Sequence, residues 1–248
     1  MNQNIRKLLW LPLLLCLLLT GCVRYDVDIN FAGQYRGEIV QQIQLSKQLT
    51  SFSQSEAENW LDSIEKRGQK LQGRTRRSPQ GILVTIPFNS GQELTEKFNT
   101  FFNRTQANSS VATDSLDMLK LSASLTLEQS NLLLFQRNRL ILNGDLRALG
   151  VLSEQGNLIV SPGSLVNLKF SLTTPLGGRS VSELPFEVRD DNQLVWQLQP
   201  GQINYIEAVF WVPNYLGLGA VGITLLVLLG FYGKYRHFPW TTPAQTSP

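Results

Sequence analysis

Val23-Arg24-Tyr25-Asp26-Val27-Asp28-Ile29-Asn30-Phe31 alternates strictly between apolar and polar side chains. In an extended chain successive side chains point to opposite faces. Val23, Tyr25, Val27, Ile29 and Phe31 therefore share one face, and Arg24, Asp26, Asp28 and Asn30 share the other. That is the signature of a strand with a core on one side only. Ala32-Gly33-Gln34 supplies a turn. A second strand follows, with Ile39, Ile43 and Leu45 on one face, so the two strands read as a hairpin.

Working outward, residues 53–71 switch to a helical period, with Ala57, Trp60, Leu61, Ile64 and Leu71 on one stripe. Ser55 and Glu58 have the spacing of a capping box, and Gly73 follows the end. Residues 81–88 (GILVTIPF) read as a strand. Ser90 and Glu93 open a second helix that lines up Leu94, Phe98, Phe101 and Phe102. Residues 104–115 are polar and aperiodic, a loop. Strand signals then dominate. Leu119, Leu121, Ala123, Leu125 and Leu127 alternate with polar residues, and residues 132–142 are apolar enough for a strand or a short buried helix. Further strands are expected at 157–160, 166–172, 186–189, 194–198 and 203–210. The order predicts an α+β fold, a mostly antiparallel sheet with two packed helices.

Both ends of the chain look like membrane attachments. Arg6 and Lys7 precede a short apolar run that closes on Leu19-Thr20-Gly21-Cys22. A basic start, an apolar stretch of this length and small residues at its end form an export signal. Leu-x-Gly-Cys at that place resembles the bacterial lipobox. The resemblance makes residues 1–21 a lipoprotein signal peptide and Cys22 the acylated first residue of the mature chain. Cys16, the only other cysteine, would leave with the signal, so no disulfide is expected. Arg6 and Lys7 would leave too, which brings a formal charge of +3 close to neutral. A near-neutral exported body offers no field for nucleic acid.

At the other end, residues 208–233 carry no charge, and residues 216–232 (LGLGAVGITLLVLLGFY) are long enough to cross a bilayer. Trp211 and Tyr215 precede the run, and Tyr232 and Tyr235 follow. Aromatic side chains favour both membrane boundaries. Lys234, Arg236 and His237 come next, which places the tail, 234–248, in the cytoplasm by the positive-inside rule. The folded body, 22–207, then lies on the extracytoplasmic side.

The body contains no histidine and no free thiol, because His237 is the only histidine of the chain. This excludes Ser-His-Asp and Cys-His catalysis and His-containing zinc sites. Asp26 and Asp28 share a strand face and could form an acid–base pair for glycan hydrolysis, but a solvated strand face explains them as well. Asp190 and Asp191 belong to a turn. Arg74, Arg76 and Arg77 are the only dense basic cluster of the body, a candidate contact for anionic lipid headgroups or an acidic partner. The alternative is a charged strand edge. No cofactor or metal motif is present.

The pattern resembles the LppM-type lipoprotein domain family, and above all its cyanobacterial and plastid membrane-anchored members. The resemblance rests on a lipobox running directly into CVRYDVDINF, a strand ending IPF before the second helix, and LPFEVRDDNQLVWQLQPGQ ahead of one membrane helix. Its most specific piece is residues 195–201, VWQLQPG. The family implies a non-enzymatic α+β body tethered at a cell or thylakoid membrane, with a suggested role in binding lipid or glycolipid. It implies no catalytic residue to carry over. Trp196 reads as core. An assembly or scaffold role toward a membrane-protein partner is the alternative to lipid binding.

Overall fold

The computed structural model describes residues 23–34, 36–46, 54–103, 122–149, 166–190 and 192–235. The expected signal peptide, Cys22, the loop at 104–115, the strand at 157–160, Asp191 and the tail beyond Tyr235 lie outside the described residues.

The alternating stretch forms strand β1 (Val23–Gly33), with its apolar residues buried throughout. It pairs antiparallel with β2 (Arg36–Leu45) through the expected turn. Helix α1 (Gln54–Lys70) follows. It starts at Gln54, so Ser55 lies inside the first turn and is not the cap that its spacing with Glu58 suggested. Strands β3 (Arg74–Ser78) and β4 (Gly81–Phe88) form the next hairpin, and β4 pairs with β2.

Helix α2 (Gly91–Phe102) begins where the sequence places it. Ser90 Oγ accepts the Glu93 amide at 3.1 Å. The Glu93 carboxylate reaches back one residue further than in a standard capping box, to the Asn89 amide at 2.7 Å. One orphan donor of the helix start, the Glu93 amide, and the amide that precedes the cap are thereby satisfied.

The ambiguous segment 132–142 resolves as a hairpin tip and a strand. β5 (Ser122–Asn131) and β6 (Phe135–Asp145) are antiparallel partners. β7 (Val166–Thr173) then runs beside β1 in parallel, a pairing that no local pattern announced. Strands β8 (Gly178–Ser180), β9 (Phe186–Arg189), β10 (Gln193–Gln197) and β11 (Ile203–Pro213) complete two sheets. One has the order β3-β4-β2-β1-β7-β10-β9, and the other β5-β6-β11-β8. The described chain is thus α+β with mostly antiparallel sheets.

The core lies between the inner faces of the two sheets and the helices. Phe31 of β1 meets Phe88 of β4 and Phe210 of β11, with ring centroids at 5.3 and 4.7 Å. Phe98, Phe101 and Phe102 extend this aromatic packing under α2. Aromatic side chains bury large areas and fix their neighbours' geometry. Trp196 is fully buried against Phe170, and its indole N–H donates to Ser180 Oγ at 3.3 Å. Val195 to Gln197 of the VWQLQPG motif belong to β10, and its last residues, Pro200 and Gly201, form a turn. Gly201 takes a positive φ of 84° after Pro200, as position i+2 of a type II turn requires. The buried Asn204 side chain holds that turn through the Gln199 amide and the Gln199 and Gln202 carbonyls.

Candidate functional site

β11 leads into the third helix, α3 (Tyr215–Tyr235), with a single residue between them. That residue, Asn214, governs the junction. Its Oδ1 accepts the Gly217 amide at 3.2 Å, and its carbonyl accepts the Leu218 amide at 2.9 Å. It is therefore the N-cap of α3. Its own amide donates to the Leu134 carbonyl at 2.9 Å, and its Nδ2 donates to the Leu132 carbonyl at 3.4 Å. Both carbonyls belong to the β5–β6 connection, so one residue, through its backbone and its side chain, fastens the helix to that hairpin.

Gly217 completes the joint. A Cβ at this position would stand 1.5 Å from the Leu133 carbonyl oxygen. Only glycine lets helix and hairpin approach so closely. Tyr215 lies over the β1–β2 turn, with its ring 3.6 Å from where a Cβ on Gly33 would stand.

Beyond this joint α3 stands free of the body. Leu216, Ile223, Leu226 and Leu229 are each at least 66% exposed. Its 21 residues extend about 32 Å at about 1.5 Å per residue, close to the hydrocarbon thickness of a bilayer. Thr224 Oγ1 donates to the Ala220 carbonyl at 2.9 Å, so its hydroxyl is satisfied within the helix. Among the described residues, α3 is the one helix long and apolar enough to cross a membrane. The uncharged segment 208–233 is thus divided, since its first residues finish β11 and only the remainder is helical.

The three arginines singled out by sequence do not form one patch. They lie on the edge strand β3, whose side chains alternate. Arg77 faces α1 and pairs with Asp62 and, at 3.6 Å, with Glu65. The hydrogen bond to Asp62 raises its pKa further above its ordinary value. Arg74 and Arg76 point to the opposite, outer face of the sheet and are exposed. The strand edge that the sequence offered as the alternative is where they lie, and the division between its two faces went unread because the sequence analysis treated the three arginines as one cluster.

The paired aspartates are engaged by their own sheet. Asp26 accepts from Arg24 Nε at 2.6 Å. Asp28 accepts from Ser171 Oγ at 2.9 Å and from Thr173 Oγ1 at 3.4 Å, both on β7. Burial pushes the Asp28 carboxyl above its usual range, against these hydrogen bonds that lower it. Asp190 has a φ of 49° in the β9–β10 turn, a conformation Asp tolerates well. Among the described residues, no group of three or more His, Cys, Asp or Glu could hold a metal ion.

One recess had no sequence signal. Lys169, Arg189, Glu187 and Gln197, with Pro185, Phe186 and Val195, line a cleft of about 190 Å³ at the β7–β10–β9 end of the larger sheet, where Arg189 pairs with Glu187 at 3.0 Å. Its residues come from three strands whose adjacency depends on the pairing of β7, β10 and β9.

A family model described as "Protein of unknown function (DUF3153)" matches residues 27–238. The chain belongs to that family. The match runs from β1 through the end of α3, so the family comprises the body and its apolar helix together, and it begins after Cys22. No curated protein matches the chain. Among solved structures, the folded domain of LppM from Mycobacterium tuberculosis is similar at 13% identity, with a TM-score of 0.40. The likeness covers 80% of this chain and 95% of that domain.

Proposed function

We propose that this chain is a non-enzymatic lipoprotein of a cell or thylakoid membrane, as in the cyanobacterial and plastid relatives it resembles. Cys22 carries the acyl anchor, α3 crosses the bilayer, and the tail from residue 234 lies in the cytoplasm. The body works at the extracytoplasmic face, where it binds the headgroup of a lipid or glycolipid. The observation that carries this reading is the junction at Asn214 and Gly217. It joins a freely exposed apolar helix to the body without a linker, which is the construction of a module held at a bilayer surface.

The ligand reading rests on the cleft at Lys169 and Arg189. Lys169 and the Arg189–Glu187 pair beside the Phe186 ring offer both donors and an acceptor, which suits a sugar-bearing or zwitterionic headgroup as well as an anionic one. At about 190 Å³ it is smaller than the roughly 300–1,000 Å³ of pockets that enclose whole ligands, so acyl chains would stay in the bilayer. Among the described residues, the interior under α2 and between β1, β4 and β11 is packed with aromatic rings. The non-enzymatic reading is supported by the engagement of Asp26 and Asp28 within the sheet.

A second reading, an assembly factor for a membrane-protein partner, is favoured by Arg74 and Arg76, which line a charged outer edge. Purification of the full chain in mild detergent, followed by lipid and protein mass spectrometry, separates the two. A copurifying anionic lipid or glycolipid, lost in Lys169→Gln/Arg189→Gln, supports the first. A stoichiometric protein without lipid supports the second. A lone chain with neither would sink both. In sealed membrane vesicles of known orientation, protease should cut the body from the extracytoplasmic side only, and cleavage of the body from the cytoplasmic side would reverse the topology.

A further inference from the structure

The β5–β6 connection breaks the ordinary chemistry of a hairpin tip. Such turns favour Gly, Asn, Asp and Ser. Here the sequence is Asn131-Leu132-Leu133-Leu134-Phe135. Leu132 is 53% exposed, Leu133 68% and Phe135 40%. These side chains contribute nothing to the core, and three large apolar side chains together in water are unfavourable.

Their position supplies the reason. The Leu133 carbonyl abuts Gly217, the third residue of α3, so the tip stands level with the first turn of the apolar helix. Tyr215, in the first turn of α3, and Trp211, two residues back from the end of β11 and opposite Arg137, are both exposed nearby, as aromatic side chains are at a membrane–water boundary. Part of the tip's backbone is also paired. Leu132 N–H donates to the Phe135 carbonyl at 2.8 Å, and the Leu132 and Leu134 carbonyls accept from Asn214. Unsatisfied backbone groups oppose entry into lipid, and these three groups, though not the Leu133 and Leu134 amides, are paired within the protein.

We propose that the β5–β6 tip inserts into the outer leaflet beside α3, as a second protein contact with the bilayer. The occupant of this apolar surface is lipid acyl chain, because the surface continues that of α3. The inference rests on α3 spanning the membrane. Leu132 and Leu133 enter the upper hydrocarbon, while Trp211 and Tyr215 mark the boundary. Together with the Asn214 joint, the tip fixes the rotation of the body about the helix axis.

The test uses the full chain in phosphatidylcholine–phosphatidylglycerol vesicles, with a benzophenone amino acid replacing Leu133, Leu225 or Lys66 in separate variants. Leu225 lies within α3, and Lys66 is exposed on α1. Lipid adducts are read by mass spectrometry after illumination. Adducts at Leu133 comparable to those at Leu225, and absent at Lys66, are expected. Adducts at Leu225 without adducts at Leu133 would overturn the insertion and leave the spanning helix standing. Loss at both positions would overturn the spanning helix as well. Crosslinks from Leu133 to protein in place of lipid, or equal lipid yield at Lys66, would also reject the insertion.

Discussion

Asp28 shows what a single side chain contributes on the outer face of β1. Burial holds its folded pKa above its unfolded one, so the folded state binds more protons than the unfolded state between those values. Stability therefore falls as pH rises through that window, and the cost is complete above the folded pKa. Asn keeps an oxygen that can accept from Ser171 and Thr173. Asp28→Asn should thus gain melting temperature relative to the parent at pH 7 and lose that gain near pH 3, as followed by circular dichroism. Asn99 illustrates another residue. Its side chain both donates to the Leu125 carbonyl, at 3.0 Å, and accepts the Leu125 amide, at 2.7 Å, so it stands in for a missing strand at the β5 edge. Asn99→Leu leaves two backbone groups unpaired and should cost roughly 1–3 kcal/mol in chemical denaturation. The Ser90–Glu93 cap was legible in the sequence because its partners are three residues apart. The role of Asn99 was not, because its partner is 26 residues away and an interior Asn has no pattern of its own.

At the scale of elements, the β1–β2 hairpin, both body helices, β4 and the apolar helix could be read because each carries its periodicity within one stretch. The pairing of β1 with β7 could not, because parallel neighbours are joined by a long crossover that leaves no local mark. β3 was read only as a possible charged edge at its arginines, without bounds or partner, and β8 was hidden by its three-residue length. The cleft at Lys169 inherits that invisibility, since its walls come from strands brought together by those pairings. β3 also gives a prediction. Arg77→Ala removes a partly exposed pair with α1 and should cost no more than about 1 kcal/mol. Arg74→Gln/Arg76→Gln should leave the melting temperature unchanged, since neither side chain packs inward. If this edge contacts anionic groups, the double variant should bind phosphatidylglycerol vesicles more weakly than Arg77→Ala does, measured by flotation at low salt.

At the scale of the molecule, β1 starts at the residue after Cys22 and ends with Gly33 against Tyr215, at the foot of α3. Eleven strand residues at roughly 3.3 Å each separate those ends by about 33 Å. If Cys22 is acylated, the chain is moored at two points a strand's length apart, and the larger sheet must recline along the bilayer like a plank lashed at both ends. Without the acyl group both protein contacts, α3 and the β5–β6 tip, lie at the Gly33 end, and the Val23 end of the sheet can lift away from the bilayer. Gln80 reports the difference, because its carbonyl accepts the Leu45 amide at the Val23 end of β1. A donor dye there should sit close to acceptor-labelled lipids in the acylated chain and retreat from them in Cys22→Ser, a change readable as a fall in energy transfer.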